Sequence, residues 1–81
     1  MSYNFAASEL IAELREQSGK TQTEVAATLG VTQSTISKIE RGEISADMSE
    51  LRSFCLALGV CFIEFVSLLE TKYQERHRPC S

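Results

Sequence analysis

Apolar residues along this chain recur at spacings of three and four, the period of a helix with one buried face, and nowhere alternate as in a strand. Leu10, Ile11 and Leu14 form the first stripe and predict a helix over residues 5–18, with Gly19 at its stop position. Tyr3, Phe5, Ala6 and Ala7 either extend that stripe or fold back as an arm. "TQTE" at 21–24 has the form of a capping box, Thr21 and Glu24 each bonding the other's amide. It opens a second helix over 22–29, with Val25, Ala26 and Leu29 inward and Gly30 at the left-handed stop. Thr32 can cap a third helix over 33–41, whose inward pair is Ile36 and Ile39 and whose end is Gly42. Asp47-x-x-Glu50 is a further box; it starts a fourth helix striped by Leu51, Phe54, Cys55 and Leu58 and closed by Gly59. A fifth is predicted over 61–75, where Lys72, Arg76 and Arg78 suit the C-terminal end of the dipole. The pattern therefore predicts one all-α domain of five helices over 1–76, followed by a frayed tail over 77–81.

The second and third helices are about eight residues each, too short to be stable alone, so packing must hold them. Ala26 and Ala27 are small enough to let the third helix cross the second closely, and Val31 is placed to plug the corner between Val25 and Ile36. Two short helices joined through one glycine fit a helix-turn-helix, which frees the N-terminal end of its second helix to enter a groove of helix width. The outer face there is Gln33, Ser34, Ser37 and Lys38, amides and hydroxyls with one cation. Such residues on a helix are most often plain solvated surface. Only the corner around them gives them another meaning.

Composition narrows the class. With 43% hydrophobic and 23% charged residues the chain is ordinary globular protein. The formal net charge of −3 argues against a purely electrostatic grip on nucleic acid. The acidic excess, however, lies mainly away from residues 15–41, where Arg15, Lys20, Lys38 and Arg41 face Glu16, Glu24 and Glu40. Three cysteines without a CxxC pair predict neither a disulfide framework nor a zinc site, and Cys55 falls at a packing position. No leader or membrane-length apolar run is present, which points to a reduced, cytoplasmic location. His77 stands without a partner cluster, and no nucleophile–base set, phosphate loop, cofactor motif or small-molecule site can be read, so an enzyme is not expected.

"KTQTEVAATLGVTQSTISKIERG" followed by "ISADMSELRSFCLALGV" resembles the lambda-repressor/Cro-like (XRE) family of helix-turn-helix regulators, in register over residues 10–69. The resemblance implies a lambda-repressor-like fold and sequence-specific binding of double-stranded DNA, with the third helix in the major groove. Carried over by position, Gln33 and Ser34 read base edges, and Ser37 and Lys38 read further along or touch the backbone. Gln22 bonds a phosphate and braces the first reading residue. Lys20, Thr32, Thr35 and Arg41 are further backbone contacts, and Arg15 pairs with Glu40 inside the fold as a structural salt bridge. The chemistry agrees, because a glutamine can pair in bidentate fashion with adenine.

The fifth helix carries more apolar residues than one core stripe holds. Phe62, Phe65, Val66 and Leu69 share a face, while Ile63 and Leu68 spill to another side and Tyr73 can continue the patch. Deep burial is one explanation; the other, favoured here, is a homodimer through Ile63, Val66, Leu68, Leu69 and Tyr73 on a palindromic operator. Two half-sites supply affinity that a surface with few free cations lacks. The family commonly pairs in this region. Phage repressors, restriction–modification controller proteins and antitoxins all resemble the chain in size and type. The competing expectation is an antitoxin or other interaction module whose main role is to bind a partner protein.

Overall fold

The computed structural model describes residues 3–76 and runs α1 (Tyr3–Gln17), α2 (Gln22–Leu29), α3 (Gln33–Glu40), α4 (Met48–Leu58) and α5 (Phe62–Arg76). All five predicted helices are present, and the described residues contain no strand. The predicted tail, with His77 and Cys80, lies outside the described residues. Among the described residues no single helix is long and apolar enough to cross a membrane.

Short-range chemistry sets the middle boundaries. Thr21 accepts from the Glu24 amide at 3.1 Å while Glu24 accepts from the Thr21 amide at 2.8 Å, and Asp47 with Glu50 repeats the exchange at α4. Thr32 caps α3 by accepting from the Thr35 amide at 3.2 Å. At the end of α2 the chain turns through Gly30 at φ +73°, where the Val31 amide donates back to Ala26 at 3.0 Å. An L side chain resists that backbone, so glycine is what permits the tight corner. Gly42, at φ +77°, serves a second need: a Cβ there would stand 3.3 Å from the Phe5 ring of α1.

The α1 helix starts two residues earlier than the stripe predicts, because tertiary contacts hold its first turn. The Tyr3 ring lies 4.8 Å from that of Tyr73, and its hydroxyl donates to Glu70 of α5 at 2.8 Å. Ala6 and Ala7 are buried, so this segment extends the stripe and does not form an arm. Ser8, buried among them, donates to the Asn4 carbonyl at 3.1 Å, which satisfies its hydroxyl. The α5 ladder begins with the Phe65 amide donating to Cys61 at 2.9 Å; the stacked rings of Phe62 and Phe65 anchor that turn where a capping side chain would otherwise serve.

Every helix contributes to one core, in which Ile11, Val25, Ile36, Cys55 and Phe65 are almost wholly enclosed. Burial pushes the Cys55 thiol up to about 11, so it is neutral at physiological pH and acts as a small apolar residue. Two packing expectations need correction. Val31 is exposed and does not plug the corner, and Ala27 is exposed as well, so of the two alanines only Ala26 is buried. The corner instead leaves an apolar groove of about 180 Å³ toward α4, lined by Leu29, Val31, Thr35, Ile36, Ile39 and Phe54 among others.

One ion pair joins α1 to α3. Arg15 donates from Nε to Glu40 Oε2 at 2.6 Å and from Nη2 to Oε1 at 3.1 Å, and its Nη1 reaches the Lys20 carbonyl at 2.8 Å. The two side chains are only 14% and 6% exposed. The hydrogen bonds to Glu40 hold the Arg15 guanidinium above its ordinary pKa. By contrast, Arg41 and Glu43 meet at 2.7 Å with more than half of each side chain in solvent. Glu40→Ala should therefore cost about 3–5 kcal/mol by stranding a buried charge, and Glu43→Ala less than about 1 kcal/mol. Urea denaturation would separate the two, and equal losses would deny Arg15–Glu40 a structural role. Phe65→Ala, which empties the centre of the core, should cost about 3–5 kcal/mol in the same assay.

Candidate nucleic-acid interface

Residues about 3.6 apart stack on one side of a helix, so Ile36 and Ile39 fix which side of α3 turns inward. The opposite side carries Ser34, Lys38 and Arg41, all exposed. Ser37 lies at its edge, half-buried. Gln33 and Glu40, seven positions apart, share the flank that faces the start of α2.

Gln22 enters on that flank and joins the two. Its Nε2 donates to Glu40 Oε1 at 2.9 Å, and its Oε1 accepts from Gln33 Nε2. A chain of polar contacts thus runs Arg15–Glu40–Gln22–Gln33, from α1 through α3 and α2 to the N-terminal turn of α3. Its inner end is buried and its outer end, Gln33, is in solvent. A donor–acceptor group on a rigid element, held by a neighbour, is the arrangement that edge recognition in a major groove requires.

The remaining expected contacts are distributed unevenly. Thr32 is exposed at the start of α3, its oxygen engaged with the Thr35 amide and, at 2.9 Å, with the Thr35 hydroxyl. Thr35 itself is half-buried and lines the groove toward α4, which takes it off the outer face of α3. Lys20 is exposed but not free of the protein: its Nζ donates to the Ala57 carbonyl at 3.1 Å. Arg41 stands on the outer face with Glu43 beside it. Lys38 is the exposed cation of α3 itself.

The family resemblance implied the pairing of Arg15 with Glu40 and the bracing of the first reading residue by Gln22, but not the contact between Gln22 and Glu40. The signal was spacing: positions 33 and 40 fall on one flank of their helix, so a residue bracing the first is within reach of the second.

On α5 the apolar surface is smaller and more divided than expected. Leu69 is 4% exposed and belongs to the core, so it cannot form an outer face, and Tyr73 is half-buried against Tyr3. Val66 and Leu68 flank the buried stripe on opposite sides, at the helical step of about 100° per residue. Ile63 lies beyond Val66 and is 76% exposed. Ile63 and Leu68 therefore do not share one side.

Comparison with known proteins places this geometry. The helix-turn-helix family model matches residues 11–65, which spans the corner and the helices packed on it. An XRE-family like protein from Pseudomonas syringae pv. tomato str. DC3000 is 38% identical; the match covers 85% of this chain and 84% of that one, with a TM-score of 0.78. Three further solved structures, of two proteins, are alike in fold. The wild-type restriction–modification controller protein C.Esp1396I has a TM-score of 0.83 at 23% identity, covering 90% of this chain and 96% of its own. The same controller protein, solved as a tetramer in complex with its natural 35 base-pair operator, gives 0.81 at 24%, covering 89% and 95%. The clp gene regulator ClgR from C. glutamicum gives 0.81 at 24%, covering 88% and 92%. Among curated protein sequences there is no significant match. With its family-matched core, its glycine-turned corner and its outward amide and hydroxyl face, the chain belongs to the XRE, Cro-like family of helix-turn-helix DNA-binding transcriptional regulators, a non-enzymatic family.

Proposed function

We propose that the chain regulates transcription as a homodimer that reads a palindromic operator, each copy laying α3 in the major groove. The observation that carries this reading is the exposed Gln33 at the N-terminal turn of α3, its amide held by Gln22. Gln33 and Ser34 read base edges; Ser37 and Lys38 read further along or meet the backbone. Lys20, Gln22, Thr32 and Arg41 bind phosphates, Arg41 by leaving Glu43. Thr35 drops out of this set because it faces the groove beside α4. A regulator of this kind works where the DNA is, which we place in the cytoplasm.

Weak charge makes pairing necessary. A surface that, among the described residues, offers Lys20, Lys38 and Arg41 to neutralise phosphates grips one half-site poorly, and a second copy on the same duplex raises the effective concentration. The flank of α5 that bears Ile63 and Val66 is the surface we assign to the second copy, since Ile63 is the most exposed large apolar side chain described. The controller protein of similar fold occupies its operator as a tetramer, which supports assembly of more than one copy on DNA.

Selection of bound duplexes from a randomised library should enrich a palindromic site, and the Gln33→Ala, Ser34→Ala double variant should fail to enrich it while remaining folded. No enrichment by the wild type would reject the DNA-reading proposal and turn attention to a protein partner at α5. Affinity for the selected site should fall with salt at a log–log slope of about −5, the value for three cations per copy on two half-sites. Ile63→Asp with Val66→Asp should give monomers by sedimentation at micromolar concentration; a persistent dimer would remove that flank as the interface.

A further inference from the structure

We infer that Glu40 is a positioning residue for specificity: through Gln22 it fixes which donor and acceptor Gln33 shows to DNA, and so selects adenine over guanine at one position of each half-site. The inference rests on the base-reading role proposed for Gln33 above.

An amide side chain has two ends of opposite character, an oxygen that only accepts and a nitrogen that only donates. Which end faces which way is settled by its neighbours. Glu40, ion-paired with Arg15, offers only acceptor oxygens, so the end of Gln22 that meets it at 2.9 Å must be the nitrogen. Arg15 keeps the carboxylate in place with two hydrogen bonds, of 2.6 Å to Oε2 and 3.1 Å to the Oε1 that Gln22 also meets, and as a guanidinium it can never exchange roles with its partner. The oxygen of Gln22 is then forced toward Gln33, and Gln33 must answer with its nitrogen. One N–H of the Gln33 amide is thereby occupied inside the protein. What remains for DNA is one N–H and the oxygen.

That pair matches adenine, which shows the N7 acceptor beside the N6 donor in the major groove. Guanine shows two acceptors, N7 and O6, and the Gln33 oxygen would face O6 with nothing between them to bond. Without the relay, Gln33 could turn both N–H groups outward and satisfy guanine. A buried charge on the inner part of α3 thus removes one donor from the surface and sharpens the choice of base.

The test compares A·T with G·C at the base pair whose preference Gln33→Ala abolishes, by competition binding of otherwise identical duplexes. Wild type should prefer A·T by roughly tenfold to a hundredfold, the range for one good bidentate pair. Gln22→Leu, which keeps the Arg15–Glu40 pair, should lower that ratio by about fivefold or more. The other positions should keep their ratios, and any lost phosphate contact should weaken all duplexes alike. Glu40→Gln, which allows Gln22 either orientation, should lower the same ratio; its melting curve shows whether the fold survives, and Gln22→Leu stands if it does not. A Gln22→Leu protein that binds with the wild-type ratio overturns the inference while leaving base reading intact. A wild type with no position that depends on Gln33 overturns the base-reading role and this inference with it.

Discussion

The Arg15–Glu40 pair is the constraint on which the corner depends. Helices as short as α2 and α3 lack the length to hold themselves, so their placement must come from outside. Apolar packing supplies most of it, yet packing alone tolerates small rotations of a helix about its axis. A bidentate contact between nearly buried partners does not, because a guanidinium and a carboxylate meet well in few orientations. The pair therefore sets the rotation of α3 against α1, and with it the direction of every side chain on the outer face.

Around that fixed point the molecule separates two kinds of polar group. Those facing inward are satisfied: among the described residues no buried side-chain nitrogen or oxygen lacks a partner. Those at the exposed N-terminal turn of α3, Gln33 and Ser34, are uncharged, which leaves them able to exchange water for another polar surface at little cost. Gln22 belongs to both groups, with one end against a buried carboxylate and the other against an exposed amide. Stability and the proposed recognition meet at that one side chain.

Much of this was legible in the sequence. The two capping boxes, the Gly30 and Gly59 stops and the stripe of α4 are local signals, and the helices begin and end where those signals stand. What was not legible depended on distant contacts. The early start of α1 rests on Tyr73 and Glu70, some seventy positions away in the chain, which no local pattern announces. Val31 was misplaced because hydrophobicity says that a residue favours burial, not that the turn after Gly30 will carry it inward; it lines an open groove instead. The fifth helix was overcounted for the same reason: Leu69 and Ile63 are alike in character, and only the direction of the helix against α1 and α4 separates core from surface. At the candidate interface, residue types were evident from the register of the corner. The link between Gln22 and Glu40 rests on how α2 packs against α3, which no local pattern fixes.

The shortness of α2 and α3 has a consequence for the cell. Neither helix can persist once the core opens, so the surface that meets DNA has no existence apart from the whole fold. A longer recognition helix could keep some affinity in a half-opened protein and linger on its operator. Here the quantity that governs occupancy is the number of intact molecules, and every route that clears unfolded chains, by proteolysis or by chaperone capture, becomes a control on the regulated gene.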